Sequence, residues 1–292
     1  MQPDRARRDG PVTAFVLSGG GNRGVAQVGM LRALLERGIT PDVVIGTSAG
    51  ALNGAAIATS PTLEKVDRLE SVWVGLRGDQ IFPGGVLKRA WNVLRRDDHL
   101  SDNTGLAAVV IEAGAAADFA DLAVPLRVVT TDLDTGDEIL VVAGPTMPPL
   151  LASAAIPGIF PPVDLYGHRL VDGAVVNLVP ISHALAGPTE RVYVLDASDP
   201  IGARPIRSPL DVAIRSFAIS RDQRFELELA WVPSDIEVVV LPAPQDDREF
   251  IDFSGGAPLI EEAYKLASET LDDREAAEPA RRRRGWWSVL RR

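Results

Sequence analysis

The chain has 292 residues, of which 46% are hydrophobic and 24% are charged, proportions that are ordinary for a globular protein and exclude general disorder. Its 30 basic and 40 acidic residues give a formal net charge of -10, which argues against nucleic-acid binding because phosphate contacts need clustered Lys and Arg. The absence of cysteine excludes disulfides, thiol nucleophiles, zinc–thiolate sites and iron–sulfur clusters.

Strands and helices alternate in the first part of the sequence. Residues 12–17 form an apolar, β-rich run that ends in glycines, and residues 24–37 carry apolar side chains at helical spacing. Residues 42–45 are predicted to form a second strand, and residues 49–59, rich in alanine and glycine, a closely packed helix. This order predicts a parallel sheet of the α/β class.

Residues 61–114 are predicted to be mostly helical, and strands and helices alternate again after them. The other predicted strands are 126–133, 138–142, 191–196 and 236–241, and the other predicted helices are 208–231 and 257–274. Residues 139–163 are uncharged and long enough to span a bilayer, but six prolines remove too many backbone donors. We therefore predict buried loops and a short helix there, with residues 139–160 helping to line an apolar channel.

The first candidate site is the glycine loop Gly19-x-Gly21-x-x-Gly24, which lies between a predicted strand and a predicted helix. Such a loop exposes backbone N–H groups at a helix N-terminus, where they can hold negative charge. Dinucleotide binding would require an acidic residue at the end of the second strand, and this strand instead runs through Gly46 to a serine. The alternative is a turn that serves only close packing.

The second candidate site is the G-x-S-x-G sequence Gly46-Thr47-Ser48-Ala49-Gly50, between a predicted strand and a predicted helix. This is the context of a nucleophile elbow, in which a sharp turn exposes a serine hydroxyl and small flanking residues avoid clashes. The alternative is that Ser48 is an ordinary helix N-cap. The context favours a nucleophilic serine.

A nucleophilic serine needs a base, and the usual base is histidine. His99 lies in a charged cluster, His168 in a predicted turn and His183 on a predicted helix, and none of these settings indicates catalysis. The chain order of Ser48, an acid and then His168 or His183 nevertheless remains open. The third motif, Asp172-Gly173-Ala174, offers a carboxylate, although an Asp-Gly turn is common for structural reasons alone.

Five blocks of the sequence carry a family resemblance. They are LSGGGNRG at 17–24, VIGTSAGAL at 44–52, TDLDTG at 131–136, ASAAIPGIFPP at 152–162 and VDGAVVN at 171–177. With these blocks in this order, the chain resembles the patatin-like phospholipases, of the bacterial branch that is similar to the catalytic region of neuropathy target esterase. The resemblance implies a three-layer α/β/α domain with a mainly parallel central sheet, and hydrolysis of a phospholipid or lysophospholipid ester.

The resemblance also implies roles for individual residues. Ser48 and Asp172 would form a catalytic dyad without histidine, in which Ser48 attacks the acyl carbonyl and Asp172 takes its proton. The remaining residues that it assigns belong to an oxyanion hole or to the motif glycines. The oxyanion hole would comprise Gly19, Gly20 and Gly21 with Arg23 holding their loop, and the motif glycines are Gly24, Gly46, Gly50 and Gly173. A soluble carboxylesterase or lipid acyltransferase with the same dyad, and a non-catalytic module that binds through the glycine loop, are the alternatives.

No metal or cofactor is expected. The sequence from Asp132 to Asp137 hints at a calcium loop, but Gly136 stands where the third ligand is required and Ala143 where the glutamate is required. A hairpin turn explains these residues better.

The end of the sequence differs in composition from the rest. We predict one acyl-hydrolase domain over residues 11–276 and a basic tail over residues 277–292. Residues 281–292 contain six arginines, two tryptophans and no acid, which suits an anionic membrane interface, and a disordered terminus without a role is the alternative. Residues 1–10 lack the apolar core of a secretory signal, so we expect a cytoplasmic protein with peripheral association at the inner membrane face.

Overall fold

The computed structural model of the chain describes residues 12–81, 101–198, 209–246, 248 and 252–289. His99 and the predicted helical structure over residues 82–100 lie outside these residues, as do the last three residues of the predicted basic tail.

The described residues contain a mixed sheet of eight strands. The strands are β1 (Thr13–Leu17), β2 (Val43–Thr47), β3 (Leu126–Asp132), β4 (Glu138–Val141), β5 (Val163–Leu165), β6 (His168–Asp172), β7 (Arg191–Asp196) and β8 (Glu237–Pro242). Their order is β5-β6-β3-β2-β1-β7-β8, with β4 paired to β3. The contacts among β1, β2, β3, β7 and β8 are parallel, whereas β4, β5 and β6 join through antiparallel contacts.

Helices cover both faces of this sheet. They are α1 (Ala26–Glu36), α2 (Ala49–Thr59), α3 (Leu63–Gly75), α4 (Gly78–Ile81), α5 (Thr104–Ala113), α6 (Met147–Ser153), α7 (Ile181–Leu185), α8 (Pro209–Ala230) and α9 (Gly256–Val289). Short 3-10 turns occupy Gly21–Val25, Phe119–Asp121 and Gly173–Val175. None of the described helices combines the length and the apolar character that crossing a bilayer requires.

Strand β1 shows why the domain has three layers. Phe15 and Leu17 point into an apolar cluster with α1, α2, α3, α5 and α9, whereas Ala14 and Val16 point into a second cluster with α7 and α8. All four side chains are fully buried, because successive residues of a strand face opposite sides and helices cover both sides. The prediction of a three-layer domain with a mainly parallel sheet is confirmed.

The register of β3 brings two distant loops together. Val129 of β3 pairs with Thr47 at the end of β2, and the next residue, Thr130, pairs with Asp172 at the end of β6. Adjacent residues of β3 thus pair with the last residue of β2 and the last residue of β6. This places Ser48 and Asp172 side by side, although 124 positions separate them in the sequence.

Several predicted boundaries differ from the structure. The pattern over residues 163–165 does not predict β5, because the strand is short and follows two prolines. The predicted end of the last helix at residue 274 is wrong, since α9 continues to Val289, beyond Pro279 and Gly285. The uncharged region 139–163 contains the end of β4 and one short helix, α6, as predicted. The prediction that its loops are buried is wrong, since Val142, Pro145 and Pro157 are exposed.

Candidate active site

Ser48 occupies a sharp turn between β2 and α2. Its φ of 54° and ψ of -127° lie in a region that residues other than glycine rarely adopt. The flanking glycines are required by close backbone contacts. A Cβ at Gly46 would lie 2.6 Å from the Gly50 carbonyl oxygen, and one at Gly50 would lie 2.3 Å from the Leu17 carbonyl oxygen. The G-x-S-x-G pattern therefore forms the tight elbow that its sequence context predicts.

Ser48 and Asp172 form a direct hydrogen bond. The Ser48 hydroxyl donates to Oδ2 of Asp172 over 2.7 Å, and the two residues are only 6% and 3% exposed. The other carboxylate oxygen, Oδ1, accepts from the N–H of Ala174 at 2.8 Å. Gly173 allows the turn to pack on β3, because a Cβ there would lie 2.4 Å from the carbonyl oxygen of Val129. Both oxygens of the carboxylate are thus held in place.

Neither described histidine contacts Ser48. His168 begins β6, where its Nδ1 lies 2.6 Å from Oδ2 of Asp132, and it stands four residues from Asp172, about 13 Å along the strand. His183 lies on α7, with its Nε2 2.5 Å from Oε1 of Glu138. Each histidine is paired with a different carboxylate, so the arrangement of Ser48, an acid and a histidine does not form among the described residues.

The glycine loop follows β1 and runs into α1 beside the elbow. The N–H of Gly19 donates to the Leu178 carbonyl oxygen over 3.0 Å, so it is already used within the protein. Among the described residues, the N–H groups of Gly20 and Gly21 have no hydrogen-bond acceptor. Gly21 has a φ of 57°, and a Cβ at Gly20 would lie 2.5 Å from the Ala197 carbonyl oxygen. Of the three predicted glycines, Gly19 thus has a protein acceptor for its N–H group, whereas Gly20 and Gly21 have none among the described residues.

Buried polar side chains hold this loop. The guanidinium of Arg23 donates to the carbonyl oxygens of Pro244 (2.9 Å) and Asp246 (3.3 Å), and the side chain is 3% exposed. The amide of Asn53 on α2 donates to the Gly24 carbonyl oxygen at 2.9 Å. A Cβ at Gly24 would lie 2.7 Å from the Cβ of Ala49, so the loop and the elbow touch. Arg23 thus links the glycine loop to residues 244–246, and its buried side chain is not accessible to a ligand.

An apolar cleft adjoins Ser48. Its lining is almost wholly hydrophobic and comes from the glycine loop, α2, α3, α4, α5, the segment after α6 and the segment before α9. The lining residues are Gly21, Ser48, Ala49, Leu52, Trp73, Leu76, Ile81, Leu106, Val109, Ala154, Ile156, Phe160 and Phe253. Of the region 139–160, only Ala154, Ile156 and Phe160 contribute. No local pattern identifies the others, because they converge only when separate helices pack together.

A charged cluster supports the turn after Asp172. Glu138 on β4 accepts hydrogen bonds from Asn177 (2.8 Å), His183 and Arg224 (2.9 Å), and Arg224 also donates to the Val176 carbonyl oxygen at 2.6 Å. Burial raises the pKa of Glu138, but the hydrogen bonds and charges of its partners outweigh burial and lower the pKa to about 2. Residues 176 and 177 are therefore anchored by an ionised carboxylate.

This cluster predicts a dependence of stability on acid pH. The pKa of Glu138 falls from 4.5 to about 2 on folding, so its contribution is complete above pH 4.5 and is lost as the pH falls towards 2. We expect Glu138→Gln to lower the free energy of unfolding at pH 7 by about 1–3 kcal/mol, because glutamine is neutral and replaces one of the two acceptor oxygens by an NH₂ donor that faces other donors. Urea unfolding between pH 2.5 and 7 should show this difference shrinking below pH 4.5. A difference that stays constant with pH would contradict it.

Comparison with known proteins identifies the family. The family model described as patatin-like phospholipase matches residues 15–185, more than half of the chain and the whole region that holds Ser48 and Asp172. The chain belongs to the patatin-like phospholipase family. Within it, the chain is 29% identical over 189 residues to patatin-like phospholipase domain-containing protein 7 of Rattus norvegicus. It is also 31% identical over 176 residues to an uncharacterized NTE family protein of Mycobacterium tuberculosis.

These alignments cover only part of the relatives. They span 64% of this chain but 14% of the rat protein, and 59% of this chain but 45% of the mycobacterial protein. Among solved structures, VipD from Legionella pneumophila superposes with a TM-score of 0.51 at 14% identity, covering 90% of this chain and 67% of that chain. This likeness supports the patatin fold. The predicted resemblance and fold class are thereby confirmed.

Proposed function

We propose that this patatin-like chain is a serine acyl-ester hydrolase of lipids that acts on a phospholipid or lysophospholipid. The observation that carries the proposal is the 2.7 Å hydrogen bond between the strained elbow serine, Ser48, and the buried carboxylate of Asp172, beside an apolar cleft. A serine held in this way, with a carboxylate as its hydrogen-bond acceptor, is suited to nucleophilic attack.

In the proposed first step, Ser48 Oγ attacks the carbonyl carbon of the acyl ester while its proton passes to Oδ2 of Asp172. The N–H groups of Gly20 and Gly21 stabilise the resulting oxyanion, a contribution that is typically worth about 10²–10³ in rate per donor. The tetrahedral intermediate collapses, Asp172 returns the proton to the leaving alcohol, and an acyl group remains on Ser48. Water then attacks this ester while Asp172 takes its proton. When the second tetrahedral intermediate collapses, Asp172 returns this proton to Ser48 Oγ and a fatty acid is released.

The apolar cleft supports a lipid as the substrate. A hydrocarbon chain gains about 0.8 kcal/mol for each methylene group that it transfers from water to an apolar site. Leu52 and Val109 place branched aliphatic side chains in this lining, and Trp73 and Phe160 place aromatic rings there. A polar group would gain little from these contacts, so the lining favours the hydrocarbon part of an acyl ester. The free volume of the cleft is about 40 Å³, which admits only the beginning of a long chain in this conformation.

Hydrolysis of phospholipid vesicles with and without an anionic component tests the proposal. We expect the protein to release fatty acid and to react covalently with a fluorophosphonate, and we expect Ser48→Ala to lose both activities to the limit of detection. Ser71→Ala is the matched control, because this exposed serine donates only to a carbonyl of its own helix. Wild-type protein that neither reacts with the fluorophosphonate nor hydrolyses an ester would support a binding module instead.

The vesicles also separate the remaining possibilities. Activity on short soluble esters but not on vesicles would indicate a carboxylesterase, and transfer of the acyl group to an added alcohol would indicate an acyltransferase. Peripheral membrane association through residues 281–292 belongs to the same proposal and rests on the composition of the tail. A chain that lacks these residues should bind anionic vesicles more weakly than the full chain.

A further inference from the structure

One buried serine that the proposed mechanism does not use lies directly behind the nucleophile. Ser153 ends α6 and is 0% exposed. Its Oγ lies 2.9 Å from the backbone nitrogen of Ser48 and 2.7 Å from the carbonyl oxygen of Val129 on β3. The side chain therefore links the elbow at Ser48 to β3. This is the strand that pairs with both β2, which leads to the elbow, and β6, which ends at Asp172.

The chemistry of the two partners determines how this hydroxyl is oriented. A carbonyl oxygen can only accept, so the single proton of Ser153 must be donated to Val129. The backbone N–H of Ser48 can only donate, so it points at the oxygen of Ser153. The hydroxyl is thus used as donor and acceptor at once, and it holds the peptide bond between Thr47 and Ser48 in one orientation.

The same segment also contacts the acid. Two residues after Ser153, the carbonyl oxygen of Ala155 accepts from the backbone N–H of Asp172 at 3.0 Å. Residues 153–155 therefore bind the backbones of both Ser48 and Asp172, whose side chains meet at 2.7 Å. Because the φ of Ser48 is 54°, its backbone depends on surrounding contacts to keep this conformation.

We propose that Ser153 is a positioning residue for the nucleophile, which holds the Ser48 backbone so that its hydroxyl stays aligned with the carboxylate of Asp172. The inference rests on the proposed function for its catalytic consequence. Its structural part, a hydroxyl that fixes the Ser48 peptide, is independent of the reaction. A displacement of reacting groups by about 1 Å can cost about a hundredfold in rate.

The test replaces Ser153 with alanine and compares it with a change at the other end of the same helix. We expect Ser153→Ala to lower kcat and the rate constant of fluorophosphonate labelling by about tenfold to a hundredfold, with KM within about threefold. Thr146→Val is the matched control, because it removes a buried hydroxyl just before the start of α6 that donates to the Ala116 carbonyl oxygen and does not touch the elbow. It should leave both rates, measured per folded molecule, within about twofold of the wild-type values.

Two further measurements distinguish a positioning role of Ser153 from a purely structural one. Ser153→Thr retains the hydroxyl and should recover most of the lost rate, and Ser153→Cys replaces the alanine variant if that variant fails to fold. Hydrogen exchange of the Ser48 amide should be faster in Ser153→Ala than in the wild type, whether or not the protein is active. An inactive wild type would overturn the proposed function, whereas a folded variant with unchanged labelling and unchanged exchange at Ser48 would overturn the role of Ser153.

Discussion

Asp172→Asn is expected to lower kcat by about 10²- to 10⁴-fold while KM changes little, because an amide can hydrogen-bond to Ser48 but cannot accept its proton. The shape of the site should survive the change. Asparagine keeps an oxygen for the N–H of Ala174 and occupies the same volume beside Gly173. Steady-state hydrolysis of a short-chain ester, together with thermal unfolding to confirm the fold, measures the effect.

The two described histidines provide the controls for this prediction. His168 and His183 pair with Asp132 and Glu138 and do not touch Ser48, so His168→Ala and His183→Ala should each keep kcat within about threefold. A severe loss on changing either histidine, with a mild loss for Asp172→Asn, would show that the proposed dyad is wrong. Equal losses in all three variants would point to a general loss of structure.

Gly50→Ala should be the most destabilising single-methyl change in the elbow, lowering the free energy of unfolding by about 3 kcal/mol or more. The added Cβ would lie 2.3 Å from the carbonyl oxygen of Leu17, the last residue of β1, and 2.5 Å from that of Ser18, which follows it. Either the elbow or the end of β1 must shift, so the hydroxyl of Ser48 would also leave its position beside Asp172.

Gly75→Ala is the matched control for this change. Gly75 is the last residue of α3, and a Cβ there would meet no atom within 4 Å. Because alanine favours the helix over glycine by up to about 1 kcal/mol, this variant should be as stable as the wild type or slightly more stable. Urea unfolding measures both variants, and a Gly50→Ala protein with wild-type stability would contradict the close contact at the elbow.

Local sequence patterns determine a large part of this protein. The run of apolar residues ending in glycines predicts β1, the G-x-S-x-G spacing predicts an elbow at Ser48, and strand–helix alternation predicts the parallel sheet. These features depend on neighbours within a few residues. The steric demand for Gly46 is of the same kind, because the turn brings its backbone against Gly50 and Ala51. Gly50, in contrast, is required by its contact with Leu17 at the end of β1, which is distant in the sequence.

Contacts between distant segments were decided only by the tertiary structure. The sequence presents Gly19, Gly20 and Gly21 as equivalent, but packing of the loop against Leu178 commits the N–H of Gly19. The sequence places Ser153 within a family motif, but it does not indicate that the Ser153 hydroxyl binds the Ser48 backbone, 105 positions away. Local patterns carry no information about such long-range contacts, because the register of β3 and the packing of separate helices determine them.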